Sequence, residues 1–159
     1  MPDKIIIIVN GKSHTVQAAP DTPLLYVLRN ELGCSGPHFG CGDETCGACM
    51  VLIGNQAKPS CKLQVAEVGR ARITTLEGLI EDGELHPVQR AFIEAQATQC
   101  GYCLNGMIIT TAALLWKTPH PSEIQIRGAL DGNLCRCGSQ ARVLRAVRRA
   151  EMLLSQPED

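Results

Sequence analysis

Nine cysteines in 159 residues are the side chains most able to do chemistry, and eight of them fall into two groups. The first group opens in the run Gly40-Cys41-Gly42-Asp43-Glu44-Thr45-Cys46-Gly47-Ala48-Cys49, with four residues between the first two thiols and two between the next. That spacing is the start of a loop that wraps a plant-type two-iron, two-sulfide centre. A fourth thiol, Cys61, follows the apolar segment Met50-Val51-Leu52-Ile53 and a Gly54-Asn55 turn able to carry the chain back toward the first three. A loop drawn around inorganic sulfide must turn sharply with its N–H groups inward, which glycine does without steric cost, and Gly40, Gly42 and Gly47 stand at such points. Zinc is the competing reading, but its all-cysteine sites usually pair two C-x2-C knuckles. A disulfide framework fits less well still. The cysteine count is odd, a chain of this length can bury a core unaided, and Met1-Pro2-Asp3-Lys4-Ile5 lacks the basic, apolar, small-residue order of a secretory leader.

The second group is Cys100 and Cys103 in Gln99-Cys100-Gly101-Tyr102-Cys103, with Cys135 and Cys137 in Asn133-Leu134-Cys135-Arg136-Cys137-Gly138. Each pair lies immediately before a stretch with helical periodicity. The segment between them is long enough for one helix to run out and another to return. Two helix starts can then face each other, their positive ends favouring thiolate over thiol and stabilising an anionic cluster. Taken alone, a C-x2-C with a C-x-C also suits zinc. Beside the first loop, a second iron–sulfur centre is the better reading.

Two kinds of element must position these thiols. Ile5 to Val9 is wholly β-branched and runs into Asn10-Gly11, the strongest short-range hairpin signal, with His14 to Gln17 as the return strand. Thr22-Pro23 reads as a helix start, Leu24, Leu25, Val27, Leu28 and Leu32 as its apolar face, and Gly33 as its end. After the cysteine loop, Met50 to Ile53, Ala57 to Val65 and Arg72 to Thr75 read as strands. From Leu76 the period changes. Helices are expected over Val88 to Ala97, Cys103 to Lys117, Ala141 to Leu154 and, capped by Ser122, up to Leu130.

Fifteen basic against sixteen acidic residues, a net charge of −1, offer no general electrostatic attraction for nucleic acid or a membrane surface. The apolar runs are too short to span a bilayer, so no direct membrane insertion is expected. Aromatic residues make up only 3 % of the chain, so bound clusters are expected to supply part of the folding free energy and the apo chain to be fragile. Free thiols and clusters both favour assembly in a reducing cytoplasm, with a periplasmic location open to a complex co-exported on a partner's signal.

The strings FGCGDETCGACMVLIG, TQCGYCLNGMI and GNLCRCGSQARVLRAV resemble the small iron–sulfur subunit of the molybdenum hydroxylases, the xanthine oxidase family, and the resemblance covers essentially the whole chain. It implies an α+β chain: an N-terminal β-grasp plant-type ferredoxin domain over residues 1–76, then an all-α four-helix bundle over residues 77–159. It implies one [2Fe-2S] cluster on Cys41, Cys46, Cys49 and Cys61 and another on Cys100, Cys103, Cys135 and Cys137. The second cluster would lie nearer a molybdopterin of the cytosine dinucleotide type. A large catalytic partner would hold most of that pterin, and Gln99 and the Cys137 region would touch it from this chain. The implied role is electron relay from a molybdenum centre that hydroxylates an aldehyde or a nitrogen heteroaromatic. Because this chain has no flavin domain, the electrons would leave to a separate flavin subunit, a cytochrome c subunit or another carrier. Glu44 departs from the pattern, standing where relatives often have glycine.

Outside the eight thiols, Cys34 reads as a buried small hydrophobe. Gln99 is otherwise a polar residue finishing a helix, and its amide offers both donor and acceptor to a pterin edge. His14, His38, His86 and His120 are scattered and take ordinary surface or packing roles. Arg142, Arg145, Arg148 and Arg149 form either a solvated face or a docking surface for an acidic partner. No nucleophile, base and orienter come together, so substrate chemistry is not expected here. Two other readings stay open on the residues alone, a freestanding ferredoxin or redox sensor and a zinc-stabilised interaction module.

Overall fold

The computed structural model describes residues 3–156. The first two residues of the segment read for a leader therefore lie outside the described residues. β1 (Asp3–Val9) and β2 (Lys12–Ala18) pair antiparallel, with Val9 opposite Lys12. The turn between them puts Asn10 at φ 50° and Gly11 at φ 76°, the paired positive values of a type I′ turn, whose twist matches the strands. Alternation sends Ile7 and Val9 inward with Val16 and Ala18, while Ile6 faces out.

α1 (Leu24–Tyr26) runs directly into a π turn (Val27–Glu31), and Gly33 at φ 69° lets the Cys34 N–H close back on the Leu28 carbonyl. The expected capping by Thr22 is not what holds its start. Pro23 is the cap residue and makes no side-chain bond there. The Leu24 and Leu25 N–H groups instead bond the carbonyls of Leu63 (2.7 Å) and Ser60 (3.0 Å), which straps this helix to the segment carrying Cys61.

β3 (Met50–Ile53) and β4 (Gln56–Pro59) form the second hairpin, and β5 (Arg72–Thr74) lies between β1 and β3. The sheet order is β2-β1-β5-β3-β4, with β5 parallel to β1 and antiparallel to β3. The strand expected over Ala57 to Val65 is much shorter than that pattern suggests. Pro59 has no N–H to continue a ladder, Ser60 and Cys61 turn inward, and Val65–Val68 forms α2 behind a reciprocal Gln64/Glu67 cap.

A 3-10 turn (Leu76–Leu79) leads to four helices: α3 (Pro87–Glu94), α4 (Leu104–Lys117), α5 (Glu123–Leu130) and α6 (Gln140–Leu154). α3 stops short of Ala97 because Gln96 adopts φ 48° and the Ala97 N–H returns to the Phe92 carbonyl. Ser122 caps α5 as expected, accepting from the Gln125 N–H while the Gln125 side chain returns to the Ser122 N–H. Alanines at 91, 146 and 150 bring α3 and α6 close around Val88, Phe92 and Val143. Leu52 from β3 is buried in this same helical core, so the sheet and the helices share one interior surface. The chain is thus α+β, a β-grasp ferredoxin domain followed by a helical domain. Among the described residues no helix is long and apolar enough to cross a membrane.

Candidate iron–sulfur centres

Backbone amides converge on the first four thiols. Cys41 Sγ accepts from the N–H groups of Asp43 (3.2 Å) and Thr45 (3.3 Å), Cys46 Sγ from Cys41 (3.3 Å), and Cys49 Sγ from Ser60 (3.3 Å). The Glu44 N–H faces Cys61, whose side chain lies against Cys49. Cys49 and Cys61 are packed on Leu25 of the strapped helix, whereas Cys41 is at the surface. The Thr45 hydroxyl, with the loop amides, draws the Cys41 thiol down to about 6. Burial, with the neighbouring thiols, pushes Cys61 up to about 11.

The second four meet in two pairs. Cys100 Sγ lies 3.5 Å from Cys137 Sγ, and Cys103 faces Cys135. Cys103 ends the loop before α4, and Ser139 stands just before α6, its hydroxyl 3.2 Å from Cys135 Sγ rather than on a helix amide. Burial pushes Cys103 up to about 12. Burial raises Cys135 too, but the Ser139 hydroxyl and amide outweigh it and bring that thiol to about 7. The Tyr102 amide and the Cys137 thiol lower Cys100.

Among the described residues no three His, Cys, Asp or Glu side chains converge on a point as one metal ion would need. Cys49 pairs with Cys61, Cys100 with Cys137 and Cys103 with Cys135, while the Cys41 N–H bonds the Cys46 sulfur. Thiols grouped in twos suit a diiron centre in which each iron takes two thiolates, and the sulfurs of the first set accept several N–H groups, as anionic sulfur does. The missing side chain at residue 40 leaves the Cys46 thiol its place. A Cβ on Gly40 would sit 2.6 Å from Cys46 Sγ. The residues present therefore fit two [2Fe-2S] groups, which when bound exchange one electron each.

The loops of the two sets touch, although Cys46 and Leu134 lie 88 positions apart in the sequence. The Leu134 N–H donates to the Cys46 carbonyl at 3.0 Å, one residue before Cys135. Gly47, at φ 75°, and Gly106 permit this approach. A Cβ on Gly47 would meet the Gly132 carbonyl at 2.6 Å, and one on Gly106 would meet the Gly47 carbonyl at 2.0 Å. Asn105, 1 % exposed, donates to the carbonyls of Ala48 and Met50 at 3.0 Å each and so clamps α4 to the first loop. On the other side the Tyr102 hydroxyl donates to the Phe39 carbonyl while its ring packs 4.7 Å from that of His38.

Two family models divide the chain between them. One described as a 2Fe-2S iron–sulfur cluster binding domain matches residues 7–74, and one described as a [2Fe-2S] binding domain matches residues 75–148. The chain is 54 % identical over 150 residues to a nicotinate dehydrogenase subunit of Pseudomonas putida, covering 94 % of this chain and 96 % of that protein. It is 49 % identical over 147 residues to the alpha subunit of isoquinoline 1-oxidoreductase from Brevundimonas diminuta, covering 92 % and 96 %. The chain belongs to the small iron–sulfur subunits of the molybdenum hydroxylases. Among solved structures, this small subunit superposes on a chain of quinoline 2-oxidoreductase from Pseudomonas putida 86 with a TM-score of 0.89 at 31 % identity, covering 95 % of this chain and 94 % of that one. It carries two [2Fe-2S] clusters and serves electron transfer within an oxidoreductase.

The remaining residues of the subunit divide clearly. Gln99 does not finish a helix. It lies exposed in the loop after α3, next to exposed Cys100. Cys137 is half-buried opposite Cys100. Cys34 is half-buried, and burial together with Glu77 raises its thiol. His86 caps α3, His120 pairs with Glu151 at 3.0 Å, and His38 packs on Tyr102. Three of the four arginines on α6 are engaged within the subunit: Arg142 with the Gln96 carbonyl, Arg148 with Glu151 and Pro121, and Arg149 with Glu94. Sequence reasoning missed Asn105 and Gly106, which act on the first loop from the second domain. Nothing in their local pattern separates them from ordinary helix residues.

Proposed function

We propose that this subunit relays electrons, one at a time, from a molybdopterin centre in a large catalytic partner through two clusters in series to an external acceptor. The observation that carries this reading is the contact between the loops, the Leu134 N–H on the Cys46 carbonyl, which leaves a short bonded path from one thiol set to the other. Cys41, Cys46, Cys49 and Cys61 hold the cluster of the ferredoxin domain, and Cys100, Cys103, Cys135 and Cys137 that of the helical domain. The division between the domains falls at 76/77, supported by β5 ending at Thr74 just before it. Gln99 and Cys137 reach the pterin, of the cytosine dinucleotide type, consistent with an exposed amide next to exposed Cys100 and its half-buried partner Cys137. The names of the relatives above concern nicotinate, isoquinoline and quinoline, which favours a nitrogen heteroaromatic over an aldehyde as the substrate of the complex.

Of the twelve large hydrophobic residues exposed among the described ones, nine follow residue 76, among them Leu85, Ile93, Trp116 and Leu134. That asymmetry supports a helical domain covered by a larger partner rather than a freestanding carrier. The acceptor is a flavin or cytochrome c subunit, and assembly is cytoplasmic, with export only alongside a partner. The test is to purify the complex anaerobically from its source, identify what accompanies the chain, and measure iron and sulfide. The reading requires a molybdopterin-containing partner, and it requires Cys61→Ser and Cys103→Ser each to lose half the iron while the double variant loses all of it. A chain that purifies alone as a soluble monomer, or whose single variants lose all or none of the iron, would refute it.

A further inference from the structure

We infer that Glu44 is a positioning residue for the ferredoxin-domain cluster, whose carboxylate holds that cluster's reduction potential down. The inference rests on the proposal that Cys41, Cys46, Cys49 and Cys61 are its ligands.

The first observation is conformational. Glu44 has φ 62°, in the left-handed region where a side chain is strained and glycine is not. Strain of this kind persists where the surroundings over-determine it, commonly at functional sites. Here the surroundings are visible. Asp43 and Thr45 direct their N–H groups to Cys41 Sγ, and the Glu44 N–H between them is directed to Cys61. Three successive amides form a concave nest for anionic sulfur, and the central one needs the left-handed backbone. Glycine would make the same nest without strain, so the backbone geometry by itself gives no reason for a glutamate.

The second observation is charge. Two carboxylates stand on this loop, and one is neutralised: Lys62, next to Cys61, forms an ion pair with Asp43. That pair ties the loop to the segment bearing the fourth thiol. The charge of Glu44 is left as the net charge at the mouth of the site, and it acts on the same ammonium only at longer range. A cluster held by four thiolates is anionic and becomes more so when it accepts an electron. A carboxylate on a residue whose amide faces the fourth thiol therefore disfavours the reduced form. For unit charges about 8 Å apart at a dielectric of about 60, somewhat below that of water, the Coulomb interaction changes a one-electron equilibrium about threefold. That corresponds to about 30 mV at 59 mV per decade.

The test is an EPR-monitored redox titration of the assembled complex, with the ferredoxin-domain signal identified as the one altered by Cys41→Ser. Glu44→Gln keeps the size and the strained backbone and removes the charge. It is expected to raise that cluster's potential by about 30 mV, leave the other cluster in place, and lose most of its effect in 1 M salt, where the Debye length is about 3 Å. Glu44→Gly should raise the potential equally and also raise the melting midpoint by about 3 °C through relief of strain. Lys62→Gln, which frees the Asp43 charge, should move the potential the opposite way. An unchanged potential in Glu44→Gln, or a shift indifferent to salt, overturns the inference. Iron and sulfide measured on the same samples separate this failure from a failure of the ligand assignment, which would show as lost cluster.

Discussion

Substituting Gly106 by alanine tests whether the two cluster loops are held in contact as the structure has them. In an exposed helix interior, glycine to alanine stabilises by about 1 kcal/mol, because alanine has less backbone freedom to lose. At Gly106 the new Cβ would lie 2.0 Å from the Gly47 carbonyl, and ordinary contact begins at 3.4 Å, so that peptide must retreat by about 1.4 Å. Three hydrogen bonds are anchored on or beside it: Met50 N–H to the Gly47 carbonyl, Leu134 N–H to the Cys46 carbonyl, and Asn105 to the Ala48 carbonyl. At about 1 kcal/mol each, losing them outweighs the helix gain and leaves a net destabilisation of about 2 kcal/mol. The apparent melting midpoint of the anaerobic holoprotein should fall by about 4–8 °C. Gly128, in α5, is the control. A Cβ there meets nothing within 4 Å, so Gly128→Ala should raise the midpoint by the ordinary helix increment. The electron-transfer rate between the two clusters, measured after pulse reduction, should fall in the Gly106 variant and hold in the Gly128 variant. If Gly106→Ala stabilises the protein as Gly128→Ala does, the close packing of the loops is refuted.

Three further outcomes follow from individual side chains. The Glu77 carboxylate accepts from the Ser35 amide (2.7 Å) and hydroxyl (3.1 Å), the Gly36 amide (2.6 Å) and the Thr75 hydroxyl (2.6 Å), and these bonds outweigh burial to lower its pKa. Much of the residue is nonetheless exposed, so its stabilisation, about 1 kcal/mol after solvent screening, is present above about pH 4.5 and lost on acidification below it. Glu77→Gln should flatten that acid limb in chemical denaturation. Burial lowers His86, whose neutral Nδ1 accepts the Val88 amide at 3.2 Å to cap α3. Its contribution is complete above about pH 6.5 and declines as pH falls through the folded value, because the unfolded chain takes the proton first. His86→Asn, which caps without titrating in this range, should remove that slope between about pH 5 and 7. Extracting the iron with a chelator should lower the melting midpoint markedly, since binding to the folded state alone stabilises it and aromatic residues make up only 3 % of the chain. An apo form as stable as the holo form would contradict the expectation drawn from composition.

The thiol spacings, the Asn10-Gly11 turn and the helical periodicity after Leu76 are local facts, written within a few residues of one another. They were enough to read a ferredoxin-like sheet, a helical second half and two iron–sulfur sets in the linear chain. Local pattern failed where a distant group satisfied a backbone atom. The β4 strand ends at Pro59 because Ser60 and Cys61 turn toward Leu25 and Cys49, and α1 begins without a side-chain cap because Leu63 and Ser60 supply the acceptors. Arg142 and Arg149 of α6 find their partners, the Gln96 carbonyl and Glu94, on a distant segment that no local pattern marks. The joint between the two centres belongs wholly to tertiary structure. It depends on Gly47, Gly106 and Leu134 arriving at one point from three separate segments, and steric exclusion between such segments leaves no periodic mark in any of them.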